Sequence, residues 1–240
     1  MFGAEVIPSR ELNLLYILLD IAFLLALLAV LLFTKRRMAA IVGALGGLLY
    51  FVVDYGGFYL LLGTRQVNGA DPFWFLLWLS ISYGFTNFVW IWLWLDNDGH
   101  RAEWSIFIMS GWLCVALLSQ NFGANFPQIA ISRGTNSYHG IMAVILFAGY
   151  ALLCVQNIRA GKSGPKAPIL SILAIGVLVQ GAWEFILLIT GIRAAGFAPL
   201  VVNALLETNL GLPWLYLIHR AVTRRRGEDL RRIAAKNRQQ

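Results

Sequence analysis

Charged residues are scarce in this chain, and their scarcity decides its class. Only 13% of the 240 residues are charged, whereas 59% are hydrophobic. A soluble domain of this length could not bury so much apolar surface, so the composition excludes a water-soluble enzyme or binding module. We therefore expect the chain to lie in a lipid bilayer.

Cysteine and histidine are also rare, with two and three residues. Cys114 and Cys154 lie inside apolar segments and are expected to act as small apolar residues, not as a disulfide or metal pair. The histidines, His100, His139 and His219, lack the spacing of zinc ligands. The sequence thus predicts a protein that is not an enzyme and holds no metal or cofactor.

Seven apolar runs fill most of the chain. They cover residues 12–34, 38–62, 73–95, 104–120, 141–158, 168–191 and 199–218. About 20 apolar residues cross a hydrocarbon layer of about 30 Å. Unbroken apolar runs predict helices, because an open sheet would leave backbone groups unpaired in lipid. The predicted fold is an all-α membrane protein whose seven transmembrane helices occupy residues 1–220, followed by a basic cytoplasmic tail at 221–240.

Basic residues are distributed unevenly between the connecting segments. Only four of the 19 lie in the N-terminal segment and in alternate loops after it, namely Arg10, Arg65, Arg133 and Arg193. Cytoplasmic loops carry the excess of Lys and Arg, so the N-terminus is expected outside and the C-terminus inside, in a cell (inner) membrane. The net charge of +7 then reflects topology, not nucleic-acid binding. The tail is either a solvated stop signal or a patch for anionic headgroups.

The third and seventh runs end alike. Residues 86–95 and 208–217 both begin Thr-Asn and share five of ten positions. The second and sixth runs end in Gly-Thr-Arg65 and Gly-Ile-Arg193. We interpret this as a 3+1+3 parallel repeat, in which units 12–95 and 141–218 are joined by a linking helix at 104–120.

The span plan and the Asn-to-Trp pattern in spans three and seven resemble two transporter families. Asn87 with Trp92, and Asn209 with Trp214, are similar to the pattern of the SWEET sugar facilitators and the PnuC vitamin transporters. Spans one and two lack the prolines of SWEET proteins, which favours the PnuC-like plan. The resemblance implies a carrier with an aromatic-rich site between its two halves.

Acidic residues inside spans are costly and by default suggest function. The candidates for gating or for proton or cation binding are Asp54, Glu184, Asp20 and Glu207. No Lys or Arg is expected deep enough to neutralise them, which predicts an acidic outer vestibule that favours cations. The alternative is that they bond neighbouring helices, or pair with Arg65 and Arg193.

Amide and aromatic side chains supply the candidate substrate-binding groups. These are Asn87, Asn209, Trp90, Trp183, Trp214, Gln180 and Tyr83. The rings could stack on a flat or cationic solute, or simply pack with lipid. Glu207 and Asn209 point in nearly opposite directions on one helix, and the repeat favours Asn209 in the cavity.

The sequence therefore predicts a membrane carrier that moves a small polar solute, with cationic, ribosyl and vitamin-like molecules as the expected classes. A channel and a non-catalytic subunit of a membrane complex are the alternatives, and an intramembrane enzyme is less favoured. A retinal receptor would need a Lys in the seventh span, and none lies there. The oligomeric state stays open, with a homo-oligomer among the options.

Overall fold

In the part of the chain that the structure describes, six helices are long and apolar enough to cross a membrane, as expected of a membrane protein. The computed structural model describes residues 9–133, 138–162, 164–193 and 197–237. The helices are α1 (Leu14–Phe33), α2 (Arg37–Phe51, continued by a π-helix at Val52–Leu61), α3 (Pro72–Leu95), α4 (Arg101–Phe122), α5 (His139–Arg159) and α6 (Ile169–Ile189). Their bounds agree with the first six apolar runs to within one helical turn. Of these spans, α3 is the most buried and α5 the least.

The last apolar run is not one continuous helix, contrary to the prediction. It forms α7 (Phe197–Leu206) and α8 (Leu212–Asn237), separated by turns over 207–211. Pro213 stands at the second position of α8, where its missing N–H leaves no helical bond unmade. Moreover, α8 runs without a break into the residues predicted to form a separate tail.

A small antiparallel sheet, which the sequence analysis did not predict, joins the connections at one end. Its strands are β1 (Ser9–Asn13), β2 (Arg65–Asn68) and β3 (Gln128–Arg133), in the order β1-β3-β2. Arg10 of β1 also forms an antiparallel bridge with Arg193, in the segment after α6. We call this side of the molecule the sheet end.

The opposite side, which we call the basic end, is fixed by two polar contacts. Arg36, between α1 and α2, makes two hydrogen bonds of 2.7 and 3.0 Å with Asp98, after α3. His219 in α8 lies 2.8 Å from the carboxylate of Asp96. The Arg36 guanidinium lowers the pKa of Asp98 below its usual value.

Helix α2 packs closely on α3 through Gly43 and Gly47, two small residues four positions apart, which is a common pattern at contacts between membrane helices. A Cβ atom added at Gly43 would lie 2.6 Å from the Val89 side chain. One added at Gly84 of α3 would lie 2.6 Å from Cα of Gly47. These glycines let the backbones approach, and they hold the π-helical continuation of α2 beside α3.

Candidate functional site

A cavity of about 230 Å³ lies between α2, α3, α5 and the break between α7 and α8. Aromatic rings form much of its wall, from Tyr50, Phe58, Tyr83 and Phe88. Apolar side chains such as Leu212 and Leu215 line the part nearer α8, and Met142 of α5 closes one side. Polar groups are few and come from Asp54, Arg65, Tyr83, Glu207 and Thr208. This mixture of an apolar wall and a few polar groups is typical of small-molecule sites.

Two irregular backbone segments inside apolar runs both border this cavity. The π-helix Val52–Leu61 contributes Val53, Asp54 and Phe58, and the turns at 207–211 contribute Glu207 and Gly211. Irregular backbone at membrane depth is tolerated only where protein buries it or where it lines a cavity. π-Helical turns and broken helices recur at functional sites for the same reason.

Asp54 pairs with Arg65, the first residue of β2, which follows the π-helix. The Arg65 guanidinium donates to the Asp54 carboxylate over 2.7 Å and lies 4.5 Å from the centre of the Phe58 ring. Gly63 has a φ of 61°, in the left-handed region that glycine adopts readily. The chain therefore reverses after the π-helix and returns Arg65 over it.

Glu184 of α6 repeats this arrangement. Gly191 has a φ of 69°, and Arg193 two residues later donates to the fully buried Glu184 carboxylate. Arg10 of β1 lies 3.6 Å from the same carboxylate. Asn203 of α7 donates to it over 3.2 Å.

These pairs overturn the expectation that no cation reaches the intramembrane acids. Asp54 and Glu184 both have arginine partners, so the alternative interpretation of them is correct. Asp20 differs, because the indole of Trp78 donates to it over 2.9 Å and, among the described residues, no Lys, Arg or His lies within ion-pair distance of it. Neither Asp20 nor Glu184 lines the cavity, which leaves Asp54 and Glu207 as its acids.

Gln180 of α6, which was predicted as a site residue, is a hydrogen-bond hub at the edge of the cavity. Its side-chain oxygen accepts from the hydroxyls of Tyr83 and Thr208. Its nitrogen lies 3.2 Å from Glu184 and 3.2 Å from Glu207. Gln180 itself is fully buried, so it connects the two acids without facing the solute space.

Glu207, not Asn209, faces the cavity, so the preference for Asn209 is wrong. Asn209 is fully buried, accepts from the Tyr150 hydroxyl over 2.9 Å and donates to the backbone oxygen of Ala204. It packs so closely on Gly176 that a Cβ there would lie 2.2 Å from the Asn209 oxygen. Within the described residues, Glu207 has no Lys, Arg or His within ion-pair distance.

The three predicted tryptophans lie outside the cavity. Trp90 is buried against α4, where its indole donates to Ser105 over 2.7 Å. Trp183 packs edge-on against Trp112 at 4.7 Å between ring centres, and Trp214 is 39% exposed. Helical spacing showed that these rings share faces with polar residues but could not show which helix each face meets. Of the rings that do line the cavity, Tyr83 was predicted as a site residue, whereas Tyr50, Phe58 and Phe88 were not.

Asn87 is fully buried, and neither atom of its amide has a hydrogen-bond partner among the described residues. It stands four residues from Tyr83 and four from Ile91, both of which line the cavity. Asn87 therefore shares the α3 face of these two residues, one turn from each of them, although its own side chain does not line the cavity. Asn209, its counterpart in the predicted repeat, instead makes hydrogen bonds with Tyr150 and Ala204.

Arg65 and Thr208 were not predicted as cavity residues, and Arg10 was not predicted as a partner of Glu184. The two Gly-x-Arg ends were the available signal for Arg65 and Arg193. Nothing in the pattern around Arg10 places it near α6, because the sheet that brings it there is formed by loops.

Within the described ranges, no three His, Cys, Asp or Glu side chains come together in a way that could hold a metal ion. No protein-family model, curated protein or solved structure matches this chain.

Proposed function

We propose that the protein is a membrane carrier for a small polar solute, and that the solute binds in the cavity between the π-helix and the α7–α8 break. The observation that carries the proposal is that both irregular backbone segments meet at this one cavity, each with an acid, Asp54 and Glu207. Carrier sites are commonly built from discontinuous helices near the membrane midplane.

The cavity limits the class of solute. Drug-sized ligands occupy roughly 300–1,000 Å³, so a space of about 230 Å³ suits a molecule of one ring system. Tyr50 and Tyr83 are stacked with 5.2 Å between ring centres and offer an aromatic wall. Because the Glu207 carboxyl group lines the cavity and has no Lys, Arg or His within ion-pair distance among the described residues, a solute with an amine or another strong donor is favoured.

The topology belongs to the same proposal. With the sheet end outside, α7 and α8 together form a seventh crossing, from Arg193 beside Arg10 to His219 beside Asp96. The matched turns at Gly63 and Gly191, each followed by an arginine that returns to an acid, support a 3+1+3 repeat. Rocking of units 12–95 and 141–218 around the cavity would give alternating access.

Uptake into proteoliposomes tests the proposal with a panel of sugars, nucleosides, and primary and quaternary amines. We expect saturable uptake of at least one nitrogen-containing solute, and we expect Glu207→Gln to slow it roughly tenfold, as for the loss of one charge-assisted hydrogen bond. Glu228→Gln, the same change on the exposed part of α8, should transport normally.

Two results would overturn the proposal. One is uptake of every solute at the rate of empty liposomes. The other is Glu207→Gln transporting at the wild-type rate. An ohmic current that does not saturate would instead support a channel.

A further inference from the structure

A second and larger recess opens at the basic end, between the end of α3, the beginning of α6 and α8. Its volume is about 1130 Å³, and it shares no lining residue with the solute cavity. The carrier proposal therefore does not account for it, and what it binds can be argued separately.

One wall of the recess is apolar and belongs to α6. Ile172, Ile175 and Leu178 line it, beginning just after Pro168. From Pro168 to Leu178 is ten residues, or about 15 Å along a helix. That length is close to the hydrocarbon thickness of one leaflet, about half of 30 Å. The apolar wall is thus about as long as an acyl chain that extends through one leaflet.

The mouth of the recess is basic. Arg101 lies 5.3 Å from the ring centre of Trp94 and donates to Asn97 over 3.0 Å, so its guanidinium is held in place. Arg220 and Arg224 stand one turn apart on α8 and line the same mouth. In the part of the chain that the structure describes, neither Arg101 nor Arg220 has a carboxylate within ion-pair distance, whereas Arg224 lies 3.7 Å from Glu228.

We infer that this recess is a binding site for one anionic phospholipid, with its phosphate on Arg101 and Arg220 and one acyl chain along α6. The charge at the mouth is complementary to a phosphate, and the wall below it is complementary to a chain. A soluble phosphate ester would use the arginines but leave the apolar wall exposed. A zwitterionic lipid would bring its own cation next to them.

Native mass spectrometry of the full chain in detergent, with phosphatidylglycerol or phosphatidylcholine added, tests the inference. We expect the wild-type protein to retain one phosphatidylglycerol in preference to phosphatidylcholine. The double variant Arg101→Gln/Arg220→Gln should lower that preference roughly tenfold or more, because each basic residue near a lipid surface strengthens the binding of an anionic headgroup. The matched control is Lys35→Gln/Arg37→Gln, which removes two exposed charges outside the recess.

A second variant tests the apolar wall without any change of charge. Ala174→Phe fills the recess from an exposed position on α6 and should weaken lipid retention while the protein elutes normally in size-exclusion chromatography. Three results would each overturn the inference. They are an equal loss in the Lys35/Arg37 variant, full competition by glycerol phosphate, and unchanged retention in Ala174→Phe. The first would indicate general surface charge, and the second a soluble phosphate ester.

Discussion

Tyr83 of α3 donates its hydroxyl hydrogen to the side-chain oxygen of Gln180 in α6. This bond joins the first three helices to the later ones at the edge of the cavity. Thr208, in the break between α7 and α8, donates to the same oxygen over 2.6 Å. Any rearrangement that moves the two units apart must therefore change the partners of Gln180.

Removing one partner of the Asp54–Arg65 pair should be costly, because the Arg65 side chain is fully buried. Asp54→Asn leaves that cation without its carboxylate and is expected to lower the free energy of unfolding by about 3 kcal/mol. Arg65→Gln should cost less, since the Asp54 side chain keeps some exposure to the cavity.

Reversible unfolding in mixed micelles, measured for both single variants and the double variant, checks this prediction. The double variant should be less destabilised than the sum of the singles. If the losses of stability in the two single variants simply added up in the double variant, this would contradict a direct interaction between Asp54 and Arg65. Glu103→Gln, in the exposed His100–Glu103 pair, should leave stability unchanged.

The substitution Asn87→Leu distinguishes a role of the Asn87 amide in solute binding from a role in stabilising the fold. An unpartnered buried amide costs about 1–3 kcal/mol, so the leucine variant should be at least as stable as the wild type. If the amide contacts the solute, uptake should nevertheless be lost.

The matched change Asn203→Leu removes the donor to Glu184 and should destabilise the protein. Wild-type uptake by Asn87→Leu would remove Asn87 from the site. A large loss of stability in Asn87→Leu would indicate that the amide has a structural role instead.

Topology can be tested by labelling single cysteines in sealed cells, after Cys114 and Cys154 are replaced by alanine. Gln128 in β3 is exposed at the sheet end, and Lys162 is exposed between α5 and α6. The excess of basic residues at the basic end predicts that a membrane-impermeant reagent labels Gln128→Cys and not Lys162→Cys. The reverse pattern would invert the proposed orientation.

The Arg36–Asp98 pair should make stability depend on pH in acid. Arg36 lowers the pKa of Asp98 in the folded state. The ionised Asp98 carboxylate therefore stabilises the fold fully above the ordinary carboxyl pKa of about 4, and this stabilisation is lost as the pH falls through the lowered pKa. At pH 7, Asp98→Asn should cost roughly 0.5–1 kcal/mol. The difference in the free energy of unfolding between Asp98→Asn and the wild type should shrink below about pH 4. A difference that does not change with pH would contradict the pairing.

Hydropathy predicted the spans well because bilayer thickness fixes how long an apolar run must be. The spacing of Gly43 and Gly47 indicates a close helix contact, but the spacing alone does not show that α3 is the partner. The sheet was harder to foresee. Ile129 and Ile131 are buried and alternate with Gln128 and Ala130, but six such residues between two spans resemble any loop.

The site was predicted only in part, because helical spacing shows which residues share a face and not what that face meets. Asp54, Glu207 and Tyr83 do line the cavity, whereas Trp90 faces α4. Arg65 and Arg193 were assigned to outer loops, because charged residues lie outside the apolar runs that a hydropathy profile detects. Their return to Asp54 and Glu184 depends on left-handed glycines, and a hydropathy profile does not detect such a reversal.

The central claim is that a solute passes through the cavity between the π-helix and the α7–α8 break. The most direct measurement compares uptake by two tryptophan variants on α5. Met142→Trp fills the cavity, whereas Phe147→Trp changes a side chain that is 73% exposed. In proteoliposomes we predict that Met142→Trp abolishes the uptake seen for the wild-type protein and that Phe147→Trp preserves it. Equal uptake by the two variants would contradict the account.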